Sequence, residues 1–337
     1  MSQNKRLGIR IENDPRLSME DITQIVLAAE SSGFESVWIP EGGGYDSISL
    51  IGYLSSITKT IKLGTGILPI FSRTPTVTAM TAANIARMTN QRFLLGLGIG
   101  HKLVVEKIHG GKFTDPIGRT QETVTIIRQL LNGESLDLNG AHFQIDSARL
   151  GLAAKNTCVP IYLAALMPKM IRLAAQVSDG VLLNWTAMSQ LKQFTELFNS
   201  TSKQKRQGQN KPDLAGYIRT YVGTKNIDAA RTKLKHEIAS YSRHPNYRNF
   251  FISCGFEKEM RSAEAALNSN DTGSAIASIS LNMQDEVAMI GSPSKCLDQI
   301  EKRISLGLDL PILAPFGVSQ NIKVDYLNTI KAFSQLN

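Results

Sequence analysis

Ile61-Lys-Leu-Gly-Thr-Gly-Ile67 and Arg92-Phe-Leu-Leu-Gly-Leu-Gly-Ile-Gly100 are short apolar runs, each closed by closely spaced glycines. Runs of this length and composition fit strands buried on both faces of a parallel sheet. Between them, Thr74-Pro75 supplies a helix cap followed by proline at the first helical position. Val77, Met80, Ile85 and Met88 then keep helical spacing up to Asn90. The unit reads strand, helix, strand, with glycine at the same end of both strands. In an α/β fold that end receives the ligand. Glycine there lets backbone approach a flat ring or a phosphate.

The same unit recurs outward in both directions. Strands are expected at Leu7 to Ile11, Ser36 to Ile39, Pro160 to Ala164, Gly180 to Leu183, Leu214 to Val222 and Leu310 to Ala314. Ser18 with Asp21 forms a capping-box signature ahead of a helix whose inner stripe is Ile22, Val26 and Ala29. Ser292-Pro293 opens another helix, which stops at Gly307. Eight strands alternating with helices predict a (β/α)8 barrel, an α/β fold in a single domain spanning 1–337. Two stretches interrupt the repeat. Leu136-Asp-Leu-Asn-Gly-Ala-His-Phe-Gln-Ile145 alternates around Asn139-Gly140 and reads as a hairpin after the fourth helix. Residues His244 to Met289 read as a mainly helical insertion before the eighth strand, placed to cover the barrel mouth.

Composition narrows the setting. With 337 residues, 42% hydrophobic and 20% charged, the chain can bury a large core. No apolar run reaches the ~18 residues of a membrane helix, and the first residues lack a signal-peptide core. Cys158, Cys254 and Cys296 are scattered and odd in number, which suggests reduced thiols in a cytoplasmic protein. The five histidines show no metal-ligand spacing, so no metal is expected. A net charge of +8 favours an acidic ligand, and Lys203-Gln-Lys-Arg-Gln-Gly-Gln-Asn-Lys211 reads as a solvated helix end and loop. Without interleaved aromatics it gives no sign of nucleic-acid binding. A small-molecule substrate and a homodimer or larger homo-oligomer complete the expectation.

The glycine series after the fourth strand does not fit the dinucleotide fingerprint. That pattern needs Gly or Ala at position 101, where His101 stands. Leu63-Gly-Thr-Gly-Ile-Leu-Pro, Arg73-Thr-Pro75 and Arg92 to Gly100 instead resemble the bacterial luciferase-like superfamily. Pro160-Ile-Tyr-Leu-Ala-Ala-Leu-Met-Pro-Lys-Met170, Ser178-Asp-Gly-Val-Leu-Leu-Asn184 and Gly291-Ser-Pro-Ser extend the resemblance in order along nearly the whole chain. It is nearest the branch of F420-dependent methylenetetrahydromethanopterin reductases.

The resemblance implies a barrel that binds coenzyme F420, or alternatively FMN, at its C-terminal mouth. It places a cis peptide at Gly66-Ile67 behind the ring. It assigns Gly98, Ile99, Gly100 and His101 to the ring, and Ala164, Ala165, Leu166 and Met167 to the phosphate-bearing tail. Pro168 then starts a helix whose free N–H groups suit a phosphate, with Lys169 and Arg172 near an acidic tail. The chain also departs from that branch. Glu41 stands at the acid position after the second strand, with Gly42 in place of histidine. Arg10 replaces a first-strand glutamate, and His101 replaces a second acid. These departures argue against methylenetetrahydromethanopterin as substrate. Glu41 and His101 are the candidate catalytic residues. Arg10, Asn184, Trp185 and Phe316 are the candidate substrate contacts. The expected activity is hydride transfer between F420 and a small organic substrate. The alternatives are an FMN-dependent monooxygenase and a cofactor-binding barrel without catalysis.

Overall fold

The computed structural model describes residues 6–42, 44–151, 157–205 and 211–334. Eight parallel strands form its centre: β1 (Gly8–Arg10), β2 (Ser36–Ile39), β3 (Lys62–Thr65), β4 (Phe93–Gly98), β5 (Ile161–Ala165), β6 (Gly180–Asn184), β7 (Asp213–Val222) and β8 (Leu310–Pro315). Each pairs with the next, and Gly8 of β1 pairs with Ile312 of β8, so the sheet closes on itself. Helices α1 (Met19–Ser31), α2 (Ser47–Ile57), α3 (Pro75–Met88), α4 (Pro116–Leu131), α5 (Pro168–Val177), α6 (Met188–Lys205) and α7 (Ile227–Tyr241) follow the first seven strands. The caps read from the sequence are present at Ser18, Thr74 and Ser292.

Side chains alternate along each strand between the barrel interior and the helix layer. The interior holds Trp38, Leu94, Tyr162, Leu182, Ala215, Tyr217, Leu310 and Ile312. Trp38 fills its centre because Gly64 has no side chain. A Cβ there would lie 2.7 Å from the indole Cε3. At the N-terminal end, Arg6 donates to Glu35 at 2.6 and 2.9 Å and to Asp213 at 2.7 Å, with Tyr162 and Lys62 joining the cluster. That end is plugged by groups that satisfy one another.

Three elements differ from the sequence expectation. In α3 the buried face is Ala79, Ala82, Ala83, Ile85 and Ala86, while Val77, Met80 and Met88 point outward. Small alanines let α3 lie close to the barrel, so the larger apolar residues take the opposite face. In the hairpin, Leu136–Asn139 pairs antiparallel with Gln144–Ala148. Asn139 faces Gln144, so the turn is the four residues Gly140 to Phe143 rather than Asn139-Gly140 alone. The insertion contains α8 (Pro245–Ser253), α9 (Glu257–Asn268), α10 (Thr272–Ala277) and α11 (Leu281–Val287). It ends in a strand, Ala288–Gly291, that pairs with Arg219 to Val222 of β7. The long β7 extends beyond the barrel and offers that edge. α12 (Pro293–Ser305) and α13 (Ile322–Phe333) complete the chain. The basic stretch 203–211 lies mostly outside the described residues.

Candidate active site

The glycines of β3 and β4 meet at the C-terminal mouth. The Gly66-Ile67 peptide is cis, as the resemblance implies. Leu68–Pro69 then pairs with the end of β4, and the Ile70 N–H reaches the Gly98 carbonyl at 2.9 Å. A Cβ on Gly98 would lie 2.8 Å from Ile67 Cγ1 and 3.1 Å from the Ala164 Cβ. One on Gly66 would overlap the Tyr217 hydroxyl. Gly66 and Gly98 are thus buried beneath Tyr217, Ile67 and Ala164, and the half-buried Ile67 and Ala164 side chains form a flat wall with no room for a further group. Such a wall fits a flat tricyclic ring and rejects anything that thickens it. Ile99 is half-buried beside it, and Gly100 turns the chain in the left-handed region (φ 64°) against Pro69.

Along β5 the alternation separates the expected tail residues. Ala164 faces the mouth, whereas the Ala165 side chain belongs to the core between barrel and helices. Leu166 packs partly against that core, and Met167 is exposed. Beyond them a groove of 680 Å³ runs between α5 and α6, lined by Met167, Pro168, Arg172, Gln190 and Gln193 among others.

His101 turns toward the insertion. Its ring lies 4.9 Å from His244 and 5.7 Å from Tyr247. Burial, and then the neighbouring His244, pull the His101 pKa below its usual value. Burial does the same to His244. Both imidazoles are thus held neutral. Tyr241 packs on Tyr247 at 4.5 Å and extends this aromatic wall across the mouth.

A polar chain lies beneath the wall. Arg219, 3% exposed, donates to Asn184 Oδ1 at 2.9 Å and to Glu237 at 3.2 Å. Asn184 in turn donates to the Tyr247 hydroxyl at 3.1 Å. Burial pushes the Tyr247 hydroxyl up to about 12. Trp185 lies behind this chain, 1% exposed, with the Arg219 guanidinium 4.0 Å from its ring centre and Tyr241 and Phe251 edge-on. Its φ of 58° is rare for a bulky residue, and this packing holds it there. Trp185 therefore supports Arg219 and offers no ring face to a substrate. Phe316 does line a cavity of 250 Å³, together with Glu12, Arg219, Lys233 and Glu237.

Arg10 points into the mouth above Tyr217, 5.1 Å from its ring centre, and is paired with Glu12. Glu41 lies apart from these groups. Its carboxylate accepts from the Ser47 hydroxyl at 2.8 Å and stands 3.8 Å from Arg73, while its N–H reaches the Ile67 carbonyl at 3.3 Å. Arg219, Glu237, Tyr241, His244 and Tyr247 were not expected from the sequence. The three-residue spacing of Tyr241, His244 and Tyr247 was the one available signal. Among the described residues no group of three or more His, Cys, Asp or Glu is placed to hold a metal. Among them, too, no helix is long and apolar enough to cross a membrane.

The model of the luciferase-like monooxygenase family matches residues 7–310. The chain belongs to that family. Its members are oxidoreductases, so this chain is an oxidoreductase that works with F420 or a flavin. It is 28% identical over 302 residues to the 5,10-methylenetetrahydromethanopterin reductase of Archaeoglobus fulgidus, covering 88% of this chain and 90% of that one. A putative coenzyme F420-dependent oxidoreductase of Mycobacterium tuberculosis is 32% identical over 192 residues, 53% of this chain and 55% of the relative. The F420-dependent tetrahydromethanopterin reductase of Methanopyrus kandleri shares the fold with a TM-score of 0.81 at 23% identity. That match covers 97% of this chain and 98% of the other.

Proposed function

We propose that the chain transfers a hydride between coenzyme F420 and a small organic substrate carrying a polarised carbonyl or a related group. The observation that carries this reading is the flat wall at the mouth, where buried Gly66 and Gly98 leave room for no side chain beyond those of Ile67 and Ala164. When bound, the deazaflavin supplies or accepts the hydride. Two of the three relatives described above are named for F420, which favours it over FMN.

The protein's own residues then hold and enclose. Ile67, Gly98 and Ala164 fix the ring plane. The backbone of Ala164 to Met167 and the first turn of α5 receive the phosphate of its acidic tail. His101, Tyr247 and Tyr241 wall off water, and Arg10 and Asn184 face the space above the ring. Arg10 already has Glu12, so a polarised oxygen suits it better than a full carboxylate. His101, kept neutral, serves as a hydrogen-bond partner at pH 7, and proton delivery through it strengthens as the pH falls.

Expression in a host that makes F420 tests this reading. A copurified deazaflavin, identified by absorbance and mass, is the expected result; a bound flavin would point to the FMN-dependent monooxygenase instead. The substrate reading has its own test. Reduced F420 supplied with methylenetetrahydromethanopterin should not be turned over, because Arg10 and His101 stand at two acid positions. Turnover on the order of 1 per second or faster would overturn that exclusion.

Two copies are expected to associate through α3. Val77, Met80 and Met88 expose a row of large apolar side chains along it. A sedimenting dimer supports this, and a monomer at micromolar concentration removes it.

A further inference from the structure

Arg119 occupies the first turn of α4, at the outer rim of the mouth. Its guanidinium lies between two phenyl rings, 5.0 Å from the centre of Phe71 and 4.5 Å from that of Phe143. Phe71 also stacks on Phe113 at 4.9 Å. These rings come from three segments: the loop after β3, the loop before α4, and the hairpin.

The neighbouring acids are committed elsewhere. Glu122 accepts the N–H groups of Ala141 and His142 at 2.9 and 3.0 Å. Asp115 receives the Gly118 N–H at 3.1 Å and lies 3.0 Å from His142 Nε2. Among the described residues no carboxylate reaches Arg119 within ion-pair distance, and its Nε is buried without a partner. Partial burial draws its pKa below the usual arginine value, and the charge of nearby Glu122 offsets this only in part.

Aromatic faces fix the guanidinium plane but satisfy none of its N–H donors. A guanidinium held this way is preorganised for a bidentate bond to a carboxylate. Its surroundings add positive charge. Lys102, Lys107 and Lys112 are exposed on the segment between β4 and α4, against two acids, Glu106, which pairs with Lys102, and Asp115, which is held by Gly118 and His142. The location is also right for an extended ligand. Phe71 follows Ile70, whose N–H is bonded to the Gly98 carbonyl in the ring wall.

We propose that Arg119 anchors a carboxylate at the far end of the ligand bound in the mouth. The proposal rests on the functional reading above. The carboxylate belongs either to the acidic tail of the cofactor or to the substrate, and the test separates the two. Arg119→Met keeps the stem packed between the rings and removes the charge; Arg119→Lys keeps the charge and loses the fork. Thermal melts of both variants establish that each folds.

Each protein is titrated by fluorescence with glutamylated F420 and with its riboside precursor, which lacks the phosphate and glutamates. Each is also scanned for thermal stabilisation by glutarate. Arg119→Met should bind F420 about tenfold more weakly, with the riboside unchanged and Arg119→Lys between, which assigns the anchor to the cofactor tail. Unchanged F420 binding with loss of glutarate stabilisation assigns it to the substrate. Wild-type behaviour in both assays overturns the proposal. If the wild type binds neither F420 nor riboside, the deazaflavin reading fails, and the glutarate scan alone then decides Arg119.

Discussion

At one end of the barrel, Arg6 donates to both Glu35 and Asp213, and Tyr162 adds a 2.6 Å bond to Asp213. At the other end, Ile67 and Ala164 form a flat wall over the buried Gly66 and Gly98, with Arg10 over Tyr217 and His101 against His244 at its margins. The same eight strands supply both ends. The N-terminal end converts charge into closure: burial raises the Asp213 carboxyl, yet bonds from Arg6 and Tyr162 hold it below its usual value. The C-terminal end leaves the Ile67 and Ala164 side chains half-buried above the glycines, a surface that a ligand completes. One end should therefore respond to mutation through stability, the other through affinity.

The largest effect is expected at the closed end. Arg6→Met leaves two largely buried carboxylates short of a partner. Breaking a buried pair costs about 3–5 kcal/mol, and the partial exposure of Arg6 places this case near about 3. Chemical denaturation should show that loss with F420 affinity unchanged. Comparable losses of both would mean that the two ends are coupled.

Gly98→Val is the converse. Its branched side chain would collide with Ile67 and Ala164, at the spot where the ring should lie. Affinity for the cofactor should fall about a hundredfold, roughly 2.8 kcal/mol, and the overpacking costs about 1–3 kcal/mol of stability besides. Undiminished binding would place the ring elsewhere.

How much of this contrast was legible beforehand follows from distance along the chain. The cradle was legible because Gly64, Gly66, Gly96 and Gly98 lie in two short runs, and local spacing marks them. The eight barrel strands were legible for the same reason. The polar chain behind the mouth was not. Asn184 and Arg219 are 35 residues apart, and Asn184 and Tyr247 are 63 apart, so only the closed barrel brings them together. The strand Ala288–Gly291 was hidden because a short apolar run after a helical stretch reads equally well as helix. Helical spacing marked α3 but not its inward face, because close packing on the barrel prefers its alanines to its larger apolar residues.

A pH effect belongs to the mouth. His101 and His244 both titrate below the ordinary histidine value of 6.5. As the pH falls below about 6.5, the unfolded chain takes up protons that the native pair refuses. The unfolded state then binds more protons, so stability falls on the acid side and levels once the native imidazoles protonate. Replacing both by glutamine should flatten this part of the stability profile without altering it above pH 7. An unchanged acid slope would assign the loss to other groups.

The smallest effect is expected at Glu41, the residue that most invited a catalytic role from its place after β2. Its carboxylate is held by Ser47 at the start of α2 and faces Arg73, while its backbone N–H bonds the Ile67 carbonyl. These contacts tie the ring wall to α2, which makes Glu41 a positioning residue. Glu41→Gln keeps an oxygen for Ser47 and loses only the charge toward Arg73, a change of about 1 kcal/mol or less in stability. With the turnover substrate in hand, kcat should stay within about twofold and KM should rise modestly as the wall loosens. A general acid or base removed in the same way would lower kcat by about a hundredfold or more, with a matching change in the pH–rate profile. That result would return Glu41 to the chemistry and make the mouth, like the closed end, a place where one carboxylate decides the outcome.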